Sequence, residues 1–106
     1  MAEEKKTNAL ISTSEALSGP GALSLDFATS VLTTTGTDAF TLADGVVGQR
    51  KRIILAVDGG DATITPATFL NGTTITFADA GDSIDLEWVA TLGWATVGST
   101  GAPVVA

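Results

Sequence analysis

From Ala22 onward, apolar residues recur at every second position: Leu23, Leu25 and Phe27, then Phe40 and Leu42, then Ile75 and Phe77, then Ile84, Leu86 and Trp88. This period of two restricts the fold more than any other feature. It buries one face of an extended chain and does not line one side of a helix. Many intervening positions hold threonine, among them Thr33, Thr34, Thr35, Thr63, Thr65, Thr74 and Thr76, whose branched side chains suit a pleated, partly wet surface. The runs are separated by Thr35-Gly36-Thr37, Asp44-Gly45, Asp58-Gly59-Gly60-Asp61, Asn71-Gly72 and Ala80-Gly81-Asp82, combinations that supply tight turns. The pattern predicts strands at 22–34, 38–42, 50–58, 62–65, 73–77, 83–91 and 94–97. About seven short strands imply an all-β fold, a small antiparallel β-sandwich or barrel. The expected core is Leu25, Phe27, Phe40, Leu42, Ile53, Leu55, Ile75, Phe77, Leu86 and Trp88.

The run Arg50 to Asp58 departs from simple alternation, because Ile53, Leu55 and Val57 point one way while Ile54 and Ala56 point the other. Apolar residues on both faces ask for cover on both sides. With 106 residues the chain has room for one domain, and domains this small commonly recruit disulfides, metals or partner subunits to complete their burial. Cysteine and histidine are both absent, which removes disulfides, the usual transition-metal ligands and the commonest general base. Association is the remaining route, so the expectation is a homotrimer with Ile54 and Ala56 at the subunit interface.

Residues 1–21 read as a flexible N-terminal arm ahead of a sandwich domain at 22–106. The arm carries Glu3, Glu4, Lys5 and Lys6, small polar residues, the Gly19-Pro20-Gly21 break, and only Leu10, Ile11 and Leu17 as large aliphatics. A short helix around Ser14 to Leu17 is compatible with its composition, but so few apolar residues do not offset the ordering entropy of a free segment. The net charge of -7 repels phosphate backbones and argues against nucleic acid as a partner. No apolar run approaches the roughly 20 residues of a membrane-spanning helix, and none suits a signal sequence, so the expected place of synthesis is a cytoplasm.

Four features invite a chemical reading. Asp85 and Glu87 are two apart on a predicted strand, so their carboxylates share a face at about 6.5 to 7 Å, although alternation alone places them on the wet face opposite Ile84, Leu86 and Trp88. Asp58, Asp61, Asp79 and Asp82 sit in glycine-containing turns without matching a calcium-binding loop, and turn formation accounts for them. Trp88 and Trp94 are either a sugar-stacking platform or part of the core or an interface. Arg50, Lys51 and Arg52 hold three of the five basic residues at one strand end, as a solvated terminus or a patch for an acidic partner.

The succession Thr41-Leu42-Ala43-Asp44-Gly45, Gly48-Gln49, Ile53-Ile54-Leu55, Ala62-Thr63-Ile64-Thr65-Pro66, Gly72-Thr73-Thr74-Ile75-Thr76-Phe77, Ala80-Gly81-Asp82-Ser83 and Gly93-Trp94-Ala95-Thr96-Val97-Gly98 resembles small β modules of tailed-bacteriophage virions. Such modules occur as trimeric capsid decoration, or cement, proteins and as parts of tail fibres. The resemblance spans roughly 38–100 and carries no catalytic signature. It implies packing about a three-fold axis and binding to other virion proteins or to a host surface.

The expectation is therefore a non-enzymatic decoration protein on the capsid surface, made in the host cytoplasm, with no cofactor, metal, nucleic acid or membrane partner. Its partner would be the major capsid protein, contacted through Leu10, Ile11, Leu17, Arg50, Lys51 and Arg52. The alternative is a receptor-binding or structural module of a tail fibre or spike, for which Trp88 and Trp94 should be exposed. A panel of glycans incubated with the protein should show no hydrolysis. Turnover that disappears in an Asp85→Asn, Glu87→Gln variant would overturn the non-enzymatic reading.

Overall fold

The computed structural model describes residues 14–106, which form ten strands: β1 Ser14–Ser18, β2 Gly21–Ala22, β3 Thr29–Thr33, β4 Asp38–Leu42, β5 Arg50–Val57, β6 Ala62–Pro66, β7 Ile75–Phe77, β8 Ser83–Val89, β9 Gly93–Thr100 and β10 Val104–Val105. They make two five-stranded sheets, ordered β1-β3-β5-β8-β9 and β10-β7-β6-β4-β2. The molecule is thus an all-β sandwich, the arrangement that period-two burial on one face of each strand demands.

The pairing of its first half departs from the antiparallel arrangement expected from the sequence. Up to β6 the chain alternates between sheets, and each strand lies parallel to the preceding strand of its own sheet: β1 with β3, β3 with β5, β2 with β4, β4 with β6. These are three stacked coils, each made of one strand from either sheet. Parallel neighbours need a crossover between them, and here the strand in the opposite sheet is that crossover. From β7 onward the pairing is antiparallel, β7 on β6, β8 on β5, β9 on β8 and β10 on β7.

Two expected boundaries change as a result. The segment 22–34 is not one strand; it divides into β2, a connection at 23–28 that crosses between sheets, and β3. Leu23 is buried there, whereas Phe27, expected in the core, is 36 % exposed because it rides on the connection rather than on a pleated strand. Of the expected arm, 14–18 is β1, neither helix nor free segment, since pairing with β3 supplies the backbone partners that a lone segment lacks. Leu10 and Ile11 lie outside the described residues.

The core holds Phe40, Leu42, Ile53, Leu55, Ile75, Phe77 and Leu86, as alternation required, with Leu25 and Trp88 only partly buried against it. It also holds Leu32, Ile64, Ile84 and Trp94, each with at most 2 % exposure. At the ends where β3 and β5 turn over into sheet two, Thr34 Oγ1 donates to the Gly60 carbonyl and accepts from the Gly59 amide. A side chain at Gly59 would collide with the Thr34 carbonyl, so only glycine allows consecutive coils to stack this closely. Because Phe77 is fully buried, Phe77→Ala should cost about 3 to 5 kcal/mol, most of the stability of a domain this size. A melting temperature within a few degrees of the parent would show that its cavity closes.

Candidate interaction surface

Strands β3 and β5 begin, and β4, β6 and β8 end, at the same pole of the sandwich, so the connections 23–28, 43–49 and 67–74 and the β8–β9 hairpin gather there. Backbone bonds tie these loops to the tryptophan strands. Gly48 N donates to the Trp88 carbonyl, Trp88 N to the Gln49 carbonyl, Leu70 N to the Trp94 carbonyl and Trp94 N to the Thr68 carbonyl. Trp94 is wholly buried, stands edge-on to Trp88 with ring centroids 5.6 Å apart, and donates through Nε1 to the Ala43 carbonyl at 2.8 Å. A Cβ on Gly45 would meet the Trp94 ring at 2.8 Å, so glycine lets the 43–49 loop close over the indole.

That closure leaves aliphatic side chains on the outside. Val46 and Val47 are about 70 % exposed, and Leu70 and Leu92 about half. In the hairpin, Thr91 has φ 63°, a left-handed conformation that a β-branched residue adopts only at a cost of about 1 to 3 kcal/mol. The opposite pole is of different make-up. Asp58 Oδ1 accepts from the Gly60 amide, and the buried Asp82 carboxylate accepts from the amides of Ala78, Asp79 and Ala102. Those aspartates shape turns, and among the described residues no group of three or more acidic side chains is placed to hold a metal ion.

The three basic residues of β5 have separate fates. Arg50 and Arg52 face outward and lie opposite Glu87 and Asp85 in the ladder, with Nε to carboxylate distances of 3.0 Å and 2.7 Å. Arg52 holds Asp85 through two hydrogen bonds, which raises its guanidinium further above its ordinary range. The two acidic residues considered as a catalytic pair are therefore engaged in cross-strand ion pairs. Beside them is an open cleft of about 220 Å³, lined in part by Ala28, Arg50 and Asp85.

Lys51, expected on the capsid-binding surface, points the other way. Alternation places it on the inner face with Ile53 and Leu55, and its side chain has no exposure. Its Nζ donates to the carbonyls of Ser24 at 2.6 Å and Phe27 at 2.8 Å and lies 3.8 Å from Glu15 Oε2. The same Glu15 oxygen accepts from Ser24 N and from Ser30 Oγ. Leu17, another expected contact residue, faces inward and packs against the core. Ile54, in the expected subunit interface, is half-buried on the outer face of its sheet, and Ala56 is exposed where the β3–β5 register shifts.

The sequence signal for the aliphatic pole was the Val46-Val47 pair inside a glycine-flanked loop, which a strand-centred reading passes over. No protein-family model matches the chain, and no curated protein is a detectable relative.

Burial pushes the Lys51 ammonium below its ordinary value of 10.5, against the opposing pull of Glu15. Between that lowered folded value and 10.5 the unfolded chain holds a proton that the folded one does not, so this group's contribution to stability rises with pH across the window. Glu15→Gln should cost about 2 to 3 kcal/mol at neutral pH, less than loss of a buried pair held by nothing else, because two carbonyls still hold Lys51. The deficit should shrink as pH approaches 10.5. Denaturant unfolding of parent and variant at several pH values checks this, and a deficit independent of pH would rule out the ion pair as its source.

Proposed function

We propose that the protein is a structural component of a tailed-bacteriophage virion, a decoration protein that attaches to the capsid shell through the pole bearing Val46, Val47, Leu70 and Leu92. The supporting observation is the concentration of exposed aliphatics in loops anchored on a rigid tryptophan pair. Apolar side chains that make no contribution to the core, held on a preorganised support, suit a protein contact whose ordering cost is low. The exposed Arg50 and Arg52, beside this pole, form the polar margin of such a contact, where charges set orientation more than affinity. The arm residues Leu10 and Ile11 belong to the same proposal as additional apolar contacts with the major capsid protein.

The fibre or spike alternative relies on tryptophan faces open to a receptor. Trp94 is fully buried and its indole N–H is already bonded, which favours the decoration reading.

The test uses capsids of the phage stripped of accessory proteins. The parent should co-sediment with them. Val46→Asp with Val47→Asp, at sites already about 70 % exposed, should melt like the parent. Loss of two valines' burial, about 3 kcal/mol, should weaken attachment at least about 100-fold. A parent that leaves the capsids unbound, or a double variant that binds as well as the parent, would refute the proposal.

A further inference from the structure

The four outer edges of the sandwich are finished differently. In the second sheet, β2 and β10 are only two residues long and each follows closely on a proline, Pro20 and Pro103, so neither offers a ladder for another strand. In the first sheet, the start of β9 is covered by the segment after β6: Trp94 exchanges backbone bonds with Thr68 and Leu70, and Thr96 N donates to Asn71 Oδ1. Only β1 is a full-length edge with no proline, lysine or bulge, and among the described residues nothing lies along it.

The direction of its free groups follows from the pairing. Gly19 N donates to the Thr33 carbonyl while Ser18 aligns with Thr33, so the odd-numbered positions 15, 17 and 19 face β3. The N–H and C=O groups of Ser14, Ala16 and Ser18 consequently point away from the sheet. That set is symmetric about Ala16, with a serine two residues to either side. An antiparallel second copy in the register Ala16 on Ala16 brings Ser14 opposite Ser18 and satisfies all of these outward groups with six backbone bonds.

Charge decides which occupant fits. The chain carries a net charge of -7, so copies repel unless they meet where charge is absent or balanced. The side chains that β1 turns outward are two serines and an alanine, and its one carboxylate, Glu15, faces inward against Lys51 with 14 % exposure. The edge is therefore both neutral and self-complementary.

We propose that β1 is a self-pairing edge through which two copies join antiparallel about a two-fold axis at Ala16. The two five-stranded sheets become one continuous sheet across the junction, and the outer-face row Ala16, Val31 and Ile54, aligned across three strands, continues into the same row of the second copy. Ile54 and Ala56 stay on the outer face and take no part in the junction, in contrast to the three-fold arrangement expected from the sequence. The proposal is independent of what the protein attaches to.

Chromatography with light scattering on the full chain tests it. The parent at micromolar concentration should have twice the monomer mass of 10.6 kDa. Ala16→Pro removes an N–H that makes no bond to β3, so the variant should keep the parent's melting behaviour and run as a monomer. The amides of Ala16 and Ser18 should exchange slowly in the parent, and that of Ser18 fast in the variant. If the proline disturbs β1 itself, Ala16→Lys leaves the backbone intact and sets two ammonium groups together at the axis, and dimer dissociation should then rise at least tenfold at low salt. A monomeric parent, a trimer whose mass Ala16→Pro leaves unchanged, or a dimer that survives both substitutions would overturn the proposal.

Discussion

A single buried ammonium organises the start of this fold. Lys51 sits on the inner face of β5, where Ile53 and Leu55 continue the apolar row, and a charge there is tolerated only if its hydrogens are used. Two go to the Ser24 and Phe27 carbonyls in the connection between sheets, and Glu15 on β1 balances the charge. One side chain thus joins the first, second and third coils. Glu15 in turn holds Ser24 and Ser30, so the outermost strand is fastened by polar bonds as much as by Leu17. No buried side-chain polar atom among the described residues lacks a partner, which is the condition under which such a network specifies a structure instead of weakening it.

This arrangement explains what could be read from the sequence and what could not. Alternation located β4, β5 and β6 closely and identified most of the core, because burial on one face leaves the same trace whatever the partner strand. For that reason it does not encode direction, and the antiparallel pairing expected from it fails for β1 to β6. A parallel sheet usually has both faces covered and reads as continuous apolar runs, whereas a coil with one wet face alternates as an antiparallel strand does. Nor did a repeat betray the coils: Glu15 aligns with Ser30 and Ser30 with Ile53, an unequal spacing set by connections of different length.

The candidate surface was legible in part. Arg50 and Arg52 are exposed at the strand end, as read. Lys51 was grouped with them by charge, although its parity with Ile53 and Leu55 already placed it inside; composition outweighed periodicity at that position. The loop valines gave no periodic signal, and their exposure depends on Gly45 closing the loop on Trp94, a long-range contact invisible to local pattern. The division of labour between poles follows from the same topology: the ends at which coils turn over are drawn tight by glycine and aspartate, and the ends at which the chain returns have length to spare.

The coil construction also bears on how a chain of this type changes size. In its backbone pairing each coil meets only the coils beside it, and the antiparallel strands β7 to β10 rest on the last one as a lid. An additional turn of chain inserted between β6 and β7 would find the same hydrogen-bonding edge below it and offer the same edge to the lid above. Growth of the molecule is then a matter of duplication along one axis, with Lys51 marking how near to the first turn an insertion can fall before the anchoring contacts are lost.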